Sequence, residues 1–197
     1  MRVEGVHYLD HLTGPALFVA NHVTLADQAL ILAALPARLG HRLAIAMEGE
    51  RLRDWLHPPA SARWFMRLRL LAQYLLVTTF FNVFPLPKQS GFRRAFAYAG
   101  KCVDRGESVQ VFPEGERAPR GQMHMSPFRP GIGLLAQELN IPVVPVKLHG
   151  LYELKQRQQY LASRGMVSVV FGEPVKFDSH LQPAAIAEEL QHSLEAM

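Results

Sequence analysis

In the stretch "VANHVTLADQ" (residues 19–28) a histidine, His22, stands five residues before an aspartate, Asp27, with Asn21 beside it. Histidine is the side chain that takes up and releases a proton near neutral pH. A carboxylate on one ring nitrogen fixes its tautomer, and the other nitrogen is then free to take a proton from an attacking hydroxyl. On one continuous helix the two side chains would point about 140° apart, so they meet only where the chain bends between them. Thr24 offers that bend. As a helix cap with Asp27 three residues on, it makes a "T-x-x-D" capping box. The bland reading is the cap alone, a carboxylate at a helix N-terminus worth about 1 kcal/mol. A His–Asp spacing of this kind is also a frequent coincidence in a chain with nine histidines.

A second stretch, "VFPEGERAPRG" (111–121), sets Glu114, Gly115, Glu116, Arg117 and Arg120 on a loop whose glycines and proline fix the backbone shape. Charges on a rigid loop can hold a polar ligand. A solvated surface turn is the other reading.

The elements around these stretches alternate in type. "PALFVA" (15–20), "RLAIAM" (42–47), "NVFPLP" (82–87), "SVQVF" (108–112), "PVVPVKL" (142–148) and "MVSVVFG" (166–172) read as strands. Residues 24–35, 92–106, 131–140 and 183–196 read as helices, the first stopped at Pro36 and the second at a glycine. This pattern predicts one α/β domain over residues 1–197, a layered mixed sheet with helices on both faces. Prolines in "NVFPLP" point to an irregular edge. Both candidate stretches then follow a strand, where such sheets place ligands.

"RWFMRLRLLAQYLLVTTFFNVFPLP" (63–87) carries no charge from residue 70 onward. Arg63, Arg67 and Arg69, with Trp55 and Trp64, precede that run. Basic residues and tryptophans beside an apolar helix suit one lying in the headgroup layer of a membrane. A core helix and a spanning helix are the alternatives, the latter weakened by Gln73, Thr78, Asn82 and the prolines.

The chain is 49% hydrophobic and 19% charged, with net charge +4, and its arginines are prominent between Arg38 and Arg69. That local basicity suits phospholipid headgroups or a phosphorylated ligand; no nucleic-acid-binding motif accompanies it. The single cysteine, Cys102, excludes an internal disulfide and a cysteine zinc cluster, and its helical position reads as a buried bystander. The first residues lack an apolar signal core, so export is not expected. The remaining histidines show no metal-ligand spacing; His124 and Arg129, near the second stretch, are the ones to examine.

Together the stretches resemble a known family. "NHVTLAD" is similar to the NHxxxxD motif of the lysophospholipid (1-acylglycerol-3-phosphate-type, PlsC-like) acyltransferases. "FPEGER" resembles their FPEGTRS block, "IPVVPV" (141–146) their final motif, and "FRPGIGLLA" (128–136) the link between. The four blocks stand in the right order, and the resemblance covers roughly residues 10–175. The resemblance implies a glycerolipid-acyltransferase-like fold and transfer of an acyl group from coenzyme A or acyl carrier protein to a lipid hydroxyl. His22 would be the general base and Asp27 its orienting partner, with no covalent acyl-enzyme. Asn21, Glu114 and Gly115 would shape the acceptor site, and Arg117 would hold phosphate through its planar fork. No metal or organic cofactor is implied. Membrane contact at the cytoplasmic face is, agreeing with the basic, aromatic flank.

Three departures qualify that expectation. Where the family's second motif ends in arginine, this chain has "VFPLPKQSGFRR", leaving Lys88, Arg93 or Arg94 as substitutes. Glu116 replaces the usual threonine, and a carboxylate beside Arg117 would partly neutralise it. The altered site fits a lysophospholipid with a headgroup larger than that of lysophosphatidic acid, or another hydroxylated lipid, better than lysophosphatidic acid itself. Finally, His22 comes too early for N-terminal membrane helices, which assigns headgroup contact to residues 51–81 or to a fused or associated partner. The alternatives to an acyltransferase are a non-catalytic lipid-binding or membrane-anchoring domain, and a lipid or thioester hydrolase.

Overall fold

Seven strands form one sheet in the order β1-β7-β6-β2-β5-β3-β4. The computed structural model describes residues 1–87, 91–119, 121–157 and 166–197. In chain order the elements are β1 (Arg2–Glu4), a 3-10 helix (Val6–His11), β2 (Leu17–Ala20), α1 (Asp27–Ala34), α2 (Ala37–Gly40), β3 (Leu43–Glu48), α3 (Gly49–Leu56) and α4 (Trp64–Phe80). Then come β4 (Asn82–Leu86), α5 (Phe92–Asp104), β5 (Ser108–Val111), α6 (Gly131–Leu139), β6 (Val143–His149), α7 (Leu151–Gln156), β7 (Ser168–Phe171) and α8 (Pro183–Ala196). Only β6 and β7 run antiparallel; the other neighbours are parallel. The sheet is mixed, as the alternation of elements predicts.

Helices cover both faces. β2 sits in the middle of the sheet and all four of its residues are buried, which is why it reads as an unbroken apolar run. Leu17 and Val19 pack with Ala95, Ala99 and Cys102 of α5 and with residues of α6 and α8. Phe18 and Ala20 face the opposite layer, with Ile31 of α1, Leu9 of the 3-10 helix and Leu151 and Leu154 of α7. The buried stripe of α5 recurs at four- and three-residue steps, the helical period. Gly133 lets α6 and α8 touch, since a Cβ there would stand 2.0 Å from the Pro183 carbonyl oxygen.

Several boundaries differ from the sequence reading. The first helix begins at Asp27 and not at residue 24, because residues 24–26 remain a bend. β1, the 3-10 helix, α2, α3 and α7 are not among the elements read from the sequence; β1 exists through pairing with β7. β4, with its proline, is an edge strand, the position that tolerates a missing N–H.

α4 departs furthest from an ordinary helix. None of its 17 residues is buried, so it is not a core helix. Among the described residues no helix is long and apolar enough to cross a membrane. Leu70, Tyr74 and Val77, spaced for one face, are its half-buried residues, on a helix that packs against α3 and β4. Trp64 and Phe80 are each 76% exposed, and Phe65, Leu68, Leu75 and Leu76 are at least half exposed.

Candidate active site

β2, β5, β3 and β4 run parallel, so their carboxyl ends share one edge of the sheet. Beyond β2 the chain bends and returns Asp27 to His22, with His22 Nδ1 and Asp27 Oδ2 2.9 Å apart. The same carboxylate accepts the Val23 N–H (2.6 Å), the Thr24 N–H (3.0 Å to each oxygen) and the Thr24 hydroxyl (2.5 Å). Asp27 is fully buried, and this set of donors offsets the cost of desolvating its charge. An ionised carboxylate only accepts, so Nδ1 carries the proton and Nε2 presents its lone pair. Phe112 stacks on the imidazole, with centroids 4.1 Å apart and planes within 15°. Only half of the capping box forms: Asp27 reaches back to the Thr24 N–H, but the Thr24 hydroxyl accepts the Ala26 N–H (3.1 Å). The cap reading and the dyad reading therefore share one bend.

The second stretch is joined to the first by Glu114. This buried carboxylate accepts the His22 N–H at Oε1 (2.7 Å) and the Ser126 N–H at Oε2 (2.8 Å). Burial pushes its carboxyl above the ordinary value, while those two amides pull the other way. Gly115 has φ +77°, and a Cβ there would lie 2.6 Å from Arg129 Nε, so the turn needs glycine twice over. The Ala118 N–H donates to the His22 carbonyl (2.9 Å). Lys155, from α7, donates through Nζ to the Val23 carbonyl (2.8 Å) and to the Ala118 carbonyl, pinning both loops.

The remaining candidates are placed variously. Asn21 is buried and its side-chain amide exchanges two hydrogen bonds with the Leu148 backbone (3.2 and 2.7 Å), holding β2 to β6 rather than facing the open edge. Arg117 is half-buried on the loop. Glu116 pairs with Arg129 at 3.4 Å, so its carboxylate has a cation other than Arg117. Arg94 lines a cleft of about 400 Å³ with Gly49, Glu50, Arg53, Pro85 and Tyr98; Arg93 lies exposed outside that lining. His124 is exposed. Lys88 and Arg120 lie outside the described residues. Among the described residues no three of His, Cys, Asp and Glu gather as a metal-holding group. Phe112, Ser126, Ala118 and Lys155 were not readable as site residues. Phe112 alone left a trace, an aromatic at a strand end beside "PEG".

A family model for acyltransferases matches residues 1–149. The chain belongs to that acyltransferase family. A chloroplastic 1-acyl-sn-glycerol-3-phosphate acyltransferase of Brassica napus is 32% identical over 76 residues, 38% of this chain and 22% of that protein. The 1-acyl-sn-glycerol-3-phosphate acyltransferase of Pseudomonas aeruginosa is 33% identical over 88 residues, 45% of this chain and 33% of that protein. The matched stretch thus spans a third or less of each curated relative. The crystal structure of the 1-acyl-sn-glycerophosphate acyltransferase PlsC from Thermotoga maritima superposes with TM-score 0.62, over 100% of this chain and 71% of that one. At 22% identity that likeness establishes the PlsC-like acyltransferase fold.

Proposed function

We propose that this acyltransferase-family chain moves a fatty acyl group from an acyl thioester, coenzyme A or acyl carrier protein, to a hydroxyl of a lysophospholipid. The observation that carries the reading is the 2.9 Å contact from His22 Nδ1 to a fully buried Asp27. With Nδ1 held, Nε2 takes the proton of the acceptor hydroxyl as its oxygen attacks the thioester carbonyl. The tetrahedral intermediate collapses, the carbon–sulfur bond breaks, and the imidazolium returns the proton to the leaving thiolate. A new ester forms, and His22 ends neutral. Asp27 steadies the transient imidazolium, and Phe112 and the Glu114–amide bond fix the plane and the backbone of His22. The base and its partner are both residues of the chain, so this route asks for no metal or organic cofactor.

The same reading sets the protein on a membrane surface, at the cytoplasmic face where its donors are found, without spanning the bilayer. Its support is α4: an apolar helix with no buried residue, led by Arg63, Arg67 and Arg69 and by Trp64. Trp55 and Trp64 flank a groove of about 400 Å³ between α3 and α4. Tryptophan and arginine at the margin of an apolar helix match the headgroup layer.

Purified protein and its His22→Ala variant, each incubated with palmitoyl-coenzyme A and a panel of lysophospholipids, test the reaction. Acceptor-dependent thiol release with a new diacyl lipid, lost in the variant, is the expected result. Thiol release with free fatty acid and no diacyl lipid would make the protein a hydrolase.

A further inference from the structure

We propose that Gln191 of α8 is a positioning residue for the reaction. It holds the segment that presents Ser126 to Glu114, and through Glu114 it fixes the backbone of His22. α8 lies beyond residues 1–149, the stretch that the family model matches. The inference rests on the acyltransferase reading only for what His22 does.

Glu114 is a buried carboxylate between two amides, the His22 N–H at 2.7 Å and the Ser126 N–H at 2.8 Å. The first amide directly follows β2, in the middle of the sheet. The second belongs to residues 122–129, which form neither helix nor strand and so have no ladder of their own to fix them. Bonds from other parts of the chain fix them instead. At the end of the segment the Arg129 N–H donates to the Pro113 carbonyl (3.1 Å). One residue earlier the Phe128 N–H donates to Gln191 Oε1 (3.0 Å), 63 residues away in the chain. Ser126 stands two residues from that anchor.

α8 is itself well seated. Ile186, Leu190 and Leu194 recur every four residues and are buried with Met125 and Phe128 in one apolar layer. Lys147 of β6 donates through Nζ to the Leu194 carbonyl (2.9 Å) in the last turn of the helix, and the same ammonium lies 3.9 Å from Met125 Sδ. Glu195, one turn after Gln191, decides which way the amide points. Its carboxylate takes the Gln191 NH₂ (2.9 Å), which leaves Oε1 for the Phe128 N–H. Apolar contact is non-directional and would let the segment slide on the helix, whereas this hydrogen bond sets one register. Without the acceptor, the Phe128 amide must turn to another partner, and Ser126 moves with it. Glu114 then loses one of its two amides, and the base shifts against its substrate. Because Gln191 acts through Glu114 and not on substrate, the chemical step suffers and binding does not.

Gln191→Met keeps the length of the side chain and removes its acceptor. With palmitoyl-coenzyme A and a lysophospholipid, kcat is expected to fall about tenfold with both KM values unchanged. That is less than the roughly 100-fold that a 1 Å misplacement of reacting groups can cost. Gln191→Glu combined with Glu195→Gln again supplies an acceptor for Phe128 and a donor beside it, so most of kcat should return. Gln137→Met is the control. Gln137 of α6 ties down the Asp178, Ser179 and Leu181 carbonyls by the same kind of bond, so its loss should lower the unfolding midpoint and leave kcat alone. In nitrogen-labelled protein the His22 and Ser126 amide resonances should move in Gln191→Met, return in the swapped pair and stay in place in Gln137→Met. Gln191→Met with a lower midpoint but wild-type kcat in its folded fraction would overturn the proposal, as would a swapped pair that restores the midpoint and not kcat. A wild type that transfers no acyl group, with a His22 amide that still follows Gln191, would keep the coupling and sink the acyltransferase reading.

Discussion

The edge around His22 and the surface of α4 are opposite solutions to burial. At the edge three buried or half-buried charged groups are committed: Asp27 to four donors on three residues, Glu114 to two amides, Lys155 to two carbonyls. Polar groups there are expensive to bury and are matched from within the chain, so the geometry is set before any substrate arrives. Along α4 it is the apolar atoms that lack a match, since no residue of the helix is buried. The first region carries its own organisation; the second makes energetic sense against a surface that the chain does not contain. Substitutions should therefore separate cleanly, with chemistry and stability moving at the edge and only location moving at the helix.

The largest effect belongs to His22, the proposed base. His22→Ala is expected to lower kcat by about 10²- to 10⁴-fold, read by thiol release in the presence of a lysophospholipid. Asp27→Asn should lose comparable activity and also stability, because an amide offers one acceptor oxygen to the donors that a carboxylate holds with two. Asp27→Asn turning over like wild type would show the pair to be a helix cap and nothing more.

Next in size is α4. Replacing Trp64 and Phe80 with serine removes two side chains that are 76% exposed. Each is worth about 1.5–3 kcal/mol if buried in lipid, so vesicle affinity should fall roughly 100-fold or more. The unfolding midpoint should stay put, as for other surface changes. Co-sedimentation with vesicles of phosphatidylcholine and phosphatidylglycerol measures the affinity, and added salt should weaken it through the arginines. A drop in thermal stability without a change in vesicle binding would mean that α4 meets protein and not lipid.

These two regions were also unequally readable in the sequence. The sheet was legible because a central strand such as β2 must be apolar throughout, and α5 because its alanines and cysteine recur at helical spacing. The dyad was legible through types and order, yet the bend that closes it was misplaced: a "T-x-x-D" pattern states that Asp27 returns to Thr24, not where helical backbone begins. Contacts across long separations left no trace at all. Lys155 lies 132 residues from Val23 and 37 from Ala118, and no local pattern specifies such a meeting. Asn21 illustrates the converse: the resemblance gives it to the acceptor site through its place beside His22, and its amide bonds the Leu148 backbone, a contact that no local pattern states. For α4 composition gave the exposed arginines and Trp64, while only the fold excludes a place in the core.

Smaller still are changes that probe how the edge holds itself together. Glu114→Gln leaves one oxygen to accept and sets an NH₂ against the other amide, at an expected cost of about 1–3 kcal/mol. Its pH dependence carries a sign. Burial raises the Glu114 carboxyl in the folded chain, so the contribution from its titration is fully present below the unfolded value, about 4.3. It is lost as pH rises through the folded value. The stability difference between wild type and Glu114→Gln should therefore shrink as pH rises from about 4 toward neutrality. Urea unfolding of both proteins along that range checks it. A difference that grows with pH would mean that the two amides outweigh burial.

Lys155→Met offers the finest cut, because methionine keeps the length of the stem and removes only the ammonium that bridges the Val23 and Ala118 carbonyls. A hydrogen bond from a charged donor contributes about 1.5–3 kcal/mol, and these two share one donor that must also be desolvated, so the net loss of stability should fall near the lower end. The carbonyls belong to the turn after His22 and to the loop after Arg117, so the ammonium fixes the distance between the proposed base and that loop. A positioning role of this kind predicts a fall in kcat with KM nearly unchanged, and partial rescue by Lys155→Arg, whose fork can still reach two carbonyls. A purely structural lysine would lower the unfolding midpoint and leave kcat intact in the folded fraction. The edge is organised from a distance only if the kinetic change exceeds what the stability change accounts for.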